Sequence, residues 1–164
     1  MGKTALMRML AARVDQTRLT GFYTQSIYEN DLRVGFSVHG YEGSSVPVAN
    51  TSSDSAVRVG KFGVDLPALD DIMTRLLVPC AERPIYFMDE LGKLECKSRV
   101  FCESMERLLS EPVTAVISAP LKGPAMLEKV LSHSAVMRIR VSEQNAQALF
   151  AQLVPWLDRQ QLRP

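Results

Sequence analysis

The chain lacks most of the features that would place it in a specialised class. Its 164 residues contain only three cysteines, Cys80, Cys96 and Cys102, an odd number without metal-ligand spacing. Neither a disulfide framework nor a structural zinc site is expected from them. Each reads instead as a reduced, partly buried thiol. The two histidines, His39 and His133, have no partner in the sequence suited to metal or nucleophilic chemistry, and they are assigned to structural or exposed positions. No apolar run reaches the roughly 20 residues that span a bilayer. No charged-then-apolar leader opens the chain, so a cytoplasmic protein is expected. Formal net charge is only +1, which gives no bulk attraction to nucleic acid or anionic membrane. Internal repeats, low-complexity tracts and linkers are also missing. What remains is ordinary soluble composition, 23% charged, and enough length for one domain over residues 1–164 with a single substantial core.

Strand and helix signals alternate along this length. Leu6, Met9, Leu10 and Val14 follow helical spacing with no Gly or Pro between them, predicting a helix from the Lys3-Thr4 step to Val14. Residues 19–28 and 33–41 are rich in β-branched and aromatic side chains and flank Asn30-Asp31, a turn signal; together they predict a β-hairpin. Residues 42–54, rich in Ser, Gly, Asn and Thr, read as loop. A short strand is expected over 57–64, then a helix from Pro67 to about Pro79, opened by its proline. In the second half, strands are expected over 85–88, 113–118 and 136–141, and helices over 98–109 and 125–131. A last helix starts near Glu143, with a kink or end expected at Pro155. Trp156 is expected to pack that helix against the core. This alternation predicts an α/β layered fold with a mainly parallel sheet.

Two motifs carry chemistry. Gly2-Lys3-Thr4 opens the first helix. In a phosphate-binding P-loop the backbone N–H groups and the helix N-terminus hold the phosphates. The Lys reaches the β- and γ-phosphates, and the Thr hydroxyl ligates Mg²⁺. Ala5 continues the phosphate-facing turn. The full pattern G-x-x-x-x-G-K-(S/T) also needs an earlier glycine and a strand before it. Met1 would fill the last variable position, so the expectation is that Met1 is an internal residue of a longer protein and that the loop is incomplete. The second motif is Ile85 to Glu90, an apolar strand ending in two acids. There Asp89 would hold Mg²⁺ and Glu90 would orient or deprotonate an attacking water. Either reading of the next residues is open: Lys93 and Glu95 flank the phosphates, or they form a solvated turn. Lys122, after the 113–118 strand, lies where ligand-contacting loops sit, though a plain surface lysine also suits it.

Taken in order, these residues resemble the family of small P-loop nucleoside-triphosphatases that includes the cancer-related nucleoside-triphosphatase. Gly2-Lys3-Thr4 is similar to the end of its P-loop, and Gly21-Phe22-Tyr23-Thr24 to its GFYT strand. Arg33-Val34-Gly35-Phe36 is similar to its R-(I/V)-G-F strand, and Val59 to Leu66 to its VG-x-(Y/F)-x-VD segment. Asp89 to Glu95, reading DELGKLE, closely resembles its DE-(I/L)-GK-(M/L)-E signature, the most specific of these matches. Glu143-Gln144-Asn145 falls at its helix-opening EN-R element, which makes Asn145 a possible accessory contact, while Ala146 stands where Arg is expected. Gln25 to Tyr28 lack a basic residue usual after GFYT.

The resemblance implies Mg²⁺-dependent hydrolysis of nucleoside triphosphates such as ATP and GTP, with broad base preference. It also implies a three-layer P-loop NTPase-like fold with an inserted β-hairpin. Two other readings stay open: a nucleotide or nucleoside kinase of the same fold, and a non-catalytic nucleotide-binding or scaffold protein.

Overall fold

A computed structural model describes residues 2–78 and 85–162. The expected end of the second helix at Pro79, and Cys80, lie outside them. Helix α1 (Lys3–Ala11) begins where the glycine step predicts. Strands β1 (Leu19–Glu29) and β2 (Leu32–Gly40) form the expected hairpin. Asn30 and Asp31 both turn with positive φ (46° and 62°), a conformation their short polar side chains tolerate.

Two expectations for the middle of the chain are corrected. Residues 45–50, read as loop, form strand β3 (Ser45–Asn50), antiparallel to β2. Pro47 stands where β3 has β2 on one side but has not yet met its other neighbour, β5, which pairs only with Ala49 and Asn50. A missing N–H is tolerated at such an edge position. The single strand expected over 57–64 is a tight hairpin, β4 (Arg58–Val59) and β5 (Phe62–Val64), turning at Gly60 with φ +59°.

Helix α2 (Leu66–Leu76) is capped by Asp65, whose Oδ1 accepts from the Ala68 N–H at 3.0 Å. Strand β6 (Ile85–Asp89) is buried throughout. Helix α3 (Arg99–Ser110) is capped by the Ser98 hydroxyl, which accepts from the Phe101 N–H at 2.9 Å and donates to Asp70 on α2. One side chain thus starts α3 and docks it on its neighbour. Strand β7 (Thr114–Ile117) and helix α4 (Ala125–Ser132) follow.

Residues 136–141, expected as a strand, form none. Their β-branched residues suit a strand, but a strand also needs a backbone partner, and this stretch bonds locally. The Val136 N–H donates to the His133 carbonyl, the Arg138 guanidinium to the Leu131 carbonyl, and Asn145 Nδ2 to the Arg140 carbonyl. Helix α5 (Ala146–Gln161) runs through Pro155, where an end or kink was expected. The missing proline N–H costs one intrahelical bond. Apolar packing of Leu149, Phe150, Leu153, Val154 and Trp156 against the core holds the helix across it.

The seven strands lie in the order β4-β5-β3-β2-β1-β6-β7. Parallel pairing is confined to β1, β6 and β7; the remaining strands join antiparallel. The antiparallel part is therefore larger than one inserted hairpin, because β3 and the β4–β5 turn extend it.

The sheet separates two cores. Ile85 and Phe87 of β6 pack with α1 and α5, while Tyr86 and Met88 pack with α2, α3 and α4. Alternation along one buried strand thus sets the three layers. Gly21 lets β1 lie against β6: its φ is +103°, and a Cβ there would stand 2.0 Å from the Phe87 carbonyl oxygen. The GFYT glycine is a close-approach residue.

Candidate functional site

Parallel pairing sets Tyr23 on β1 beside Asp89 at the end of β6. The C-terminal ends of β6 and β7 therefore open on one edge of the sheet, where ligands bind in open α/β folds. The start of α1 joins them there. The Lys3 ammonium donates to Glu90 Oε2 at 2.9 Å and to the Ala119 carbonyl at 2.8 Å, spanning the segments that leave β6 and β7. Both ends of the ion pair are partly open to solvent, with side-chain exposures of 37% and 41%. An exposed pair of this kind contributes little stability. What it demonstrates is proximity: residues 87 positions apart in sequence meet at one place.

Around this pair the remaining candidates differ in surroundings. Gly2 caps α1 with extended backbone and no side-chain cap, and the first turn holds no acidic residue. The N–H groups of Lys3, Thr4 and Ala5 precede the first intrahelical bond, from the Leu6 N–H to the Gly2 carbonyl. They form the positive end of the helix dipole, a place suited to an anion. Thr4 and Ala5 are exposed there, whereas Asp89 is buried and accepts a hydrogen bond from the Ser118 hydroxyl. Ser118 also donates its N–H to the Met88 carbonyl and accepts from the Leu91 N–H. It thereby locks the exit of β6 to that of β7.

Glu95 is not in a solvated turn. It is 2% exposed, with Oε1 accepting from Thr24 Oγ1 at 2.9 Å and Oε2 from the Gly92 N–H at 3.1 Å. Burial pushes its carboxyl up to about 7 against the opposing pull of these donors and of its own N–H, with the neighbouring Glu90 charge pushing the same way as burial.

Three other candidates have different surroundings. Lys93 is exposed and lines a cleft of about 240 Å³ with Arg58, Gly60 and Lys97. Lys122 is exposed in the loop before α4. Asn145 is spent on its own turn, accepting from the Ser142 N–H at 2.7 Å and donating to the Arg140 carbonyl at 2.8 Å. Residue-type reasoning had passed over Ser118 and the Thr24 hydroxyl. Thr24 belongs to the GFYT strand, but only the fold shows that its partner is Glu95; nothing local marks Ser118.

His39 stacks on Tyr23 (ring centroids 5.1 Å apart) and bonds Ser37. Desolvation and Arg8 hold it below the usual histidine range. His133 accepts from the Ala135 N–H. Both serve local structure.

The layers, the strand arrangement and the helix opening on the sheet edge define the P-loop NTPase-like class of α/β proteins. Solved structures show the same architecture. The crystal structure of THEP1 from Aquifex aeolicus superposes with a TM-score of 0.83 at 22% identity, covering 96% of this chain and 94% of that one. The solution structure of a human cancer-related nucleoside triphosphatase gives 0.77 at 24%, covering 100% and 94%.

Residues 1–154 match the sequence family described as NTPase, and the chain belongs to that family. Among its relatives, the nucleoside-triphosphatase THEP1 of Thermotoga maritima is 29% identical over 93% of this chain and 87% of its own. The human cancer-related nucleoside-triphosphatase is 26% identical over 93% and 89%. Among the described residues no helix is long and apolar enough to cross a membrane.

Proposed function

We propose that this protein hydrolyses nucleoside 5′-triphosphates such as ATP and GTP, with Mg²⁺, to the diphosphate and phosphate. The observation that carries this reading is the contact of Lys3, at the open N-terminus of α1, with Glu90 at the end of β6. In this reading Lys3 is the phosphate-binding cation and Glu90 the general base, and the contact supports it by bringing the two side chains together. The names of the relatives support the same chemistry.

In this reading the N–H groups of Gly2 to Ala5 and the Lys3 ammonium bind the phosphates. Phosphate replaces Glu90 on Lys3, which frees the carboxylate to orient a water and accept its proton as the water attacks the γ-phosphorus.

The donors offered for a metal are oxygens, from Thr4 and Asp89. Among the described residues no three His, Cys, Asp or Glu side chains group as a metal cage. Mg²⁺ is typically held by one or two carboxylates and completed by substrate phosphates and water, so an oxygen set of this size fits. Thr4 and Asp89 would hold the ion, and Mg²⁺ there would supply charge neutralisation to the phosphates. Ser118 holds the Asp89 carboxylate in one orientation for that role.

The test is phosphate release from Mg-ATP and Mg-GTP with no acceptor present. Release that disappears in Lys3→Ala supports the reading. A wild-type chain that binds nucleotide but transfers phosphate only to an added nucleoside or nucleotide would make it a kinase instead.

A further inference from the structure

We propose that Glu95 is a positioning residue for the hydrolytic step: by clasping Thr24 of β1 and the Gly92 N–H together, it fixes the loop that aims Glu90. The inference rests on the reading of Glu90 as the residue that activates water.

The geometry is specific. Glu90 leaves the end of β6 with its side chain partly in solvent, and nothing in its own strand fixes where the carboxylate points. The loop that follows is anchored twice. Leu91 is fully buried and its N–H donates to the Ser118 carbonyl at 2.8 Å. Three residues later Leu94 is buried as well, and Glu95 folds back beneath the loop. Its two oxygens are divided between the strand and the loop, one on Thr24 and one on Gly92.

Gly92 is the point where the two carboxylates approach each other. A Cβ built on it would stand 2.9 Å from Glu95 Oε2 and 3.3 Å from Glu90 Oε1. Both carboxylates therefore approach the same side of residue 92, so the loop backbone that Glu95 holds also borders Glu90. Burying a carboxyl among apolar neighbours is costly, and a solvated turn would not require it. A clasp between β1 and the loop does. Its position near Glu90, within the DELGKLE segment, gives that clasp a consequence for catalysis.

The full chain tests this by phosphate release from Mg-ATP. Glu95→Ala should lower kcat about 10–100-fold, the penalty for a misaimed group, with KM within about twofold. Glu95→Gln should restore kcat to within about threefold of wild type, because its amide offers a carbonyl to Gly92 and an N–H to the Thr24 oxygen. In a Glu90→Gln background, Glu95→Ala should cost nothing further, because the group it aims is already disabled.

An unchanged kcat in a folded Glu95→Ala protein overturns the proposal. So does a Glu95→Gln rate as low as that of Glu95→Ala, or a full additional loss in the double variant. If Glu95→Ala does not fold, Thr24→Val carries the test. It should lower kcat about 3–10-fold at constant KM, and no change there counts equally against the clasp. Wild-type rates in Glu90→Gln alone would instead overturn the role of Glu90, and the positioning role with it.

Discussion

Two connecting segments of this protein carry family-like sequence, and the structure treats them in opposite ways. The stretch after β6, residues 90–98, is drawn into the molecule. Leu91, Leu94, Glu95 and Ser98 are buried, and their bonds reach Ser118, Thr24 and Asp70, all distant in sequence. The stretch after α4, residues 133–145, lies on the surface. Met137 is 69% exposed, and the side chains of Arg138 and Asn145 bond partners no more than seven residues away. Long-range hydrogen bonds over-determine the first segment, while the second touches the cores through Val136 and Val141 alone among the described contacts and bonds locally. A group that must be aimed at a reacting atom belongs on the first kind of segment, because precision needs support from more than one element.

The most forceful way to break this contrast is to remove the reacting carboxylate. Glu90→Gln should reduce phosphate release by about two to four orders of magnitude, the usual worth of a general base, while thermal stability stays near wild type because its ion pair with Lys3 is solvent-exposed. Retained turnover would remove the chemical reason for the order in this segment. Next in size is Leu91→Ala, which should cost about 2–5 kcal/mol of unfolding free energy in urea titration, as for other buried leucines. Its counterpart, Met137→Ser, should stay within about 0.5 kcal/mol as a surface change. Equal costs for the two would show that the segments are not as different as their burial suggests.

The same contrast explains what could be read from the sequence. The β6 strand was legible because Ile85 to Asp89 is apolar and then acidic, and because its burial on both faces needs no alternation. Pro67 marked the start of α2 and the helical spacing of Phe101, Met105 and Leu108 marked α3; the Asp65 and Ser98 caps emerge only in the structure. Residues 45–50 and 136–141 were misread for opposite reasons. Ser45, Pro47 and Asn50 look like loop, yet β2 supplies a backbone partner and β3 forms. Val136, Ile139 and Val141 look like strand, yet no ladder includes them, and the Val136 N–H turns back on the His133 carbonyl. Strand formation depends on a neighbour, and a neighbour is not a local property. The candidate site divides along the same line. Lys3, Asp89 and Glu90 stood out by residue type and position, whereas Ser118 and the Thr24–Glu95 bond exist only once the chain is folded.

Glu95 offers a sharper comparison, because its ionisation reports burial directly. Its folded carboxyl titrates at about 7, against an ordinary value of 4.5. The Thr24 hydroxyl, the Gly92 N–H and its own N–H favour the charged form, while burial and Glu90 disfavour it, and burial dominates. The folded protein therefore keeps a proton that the unfolded chain releases. This contribution to stability is complete below pH 4.5 and is lost as the pH rises to about 7, a change of up to about 3 kcal/mol over the window. Urea unfolding at pH 5 and pH 8 should show wild type losing that much more than Glu95→Gln, which carries no titrating group. Parallel curves for the two proteins would mean that Glu95 is more hydrated than its 2% exposure indicates.

The smallest effect is expected in the exposed segment, and it discriminates between two uses of one residue. Family resemblance makes Asn145 a possible nucleotide contact, but its side chain already bonds the Ser142 N–H and the Arg140 carbonyl. A carboxamide occupied in this way acts as a turn residue, and its loss by Asn145→Ala should cost about 1 kcal/mol of stability. KM for Mg-ATP should move by less than about twofold, because KM rises when a uniform binding contact is removed and a surface turn makes none. A tenfold rise in KM at unchanged kcat would reverse that conclusion. It would mean that nucleotide recruits Asn145 from its local bonds, and that the segment after α4, loosely held as it is, closes on the ligand.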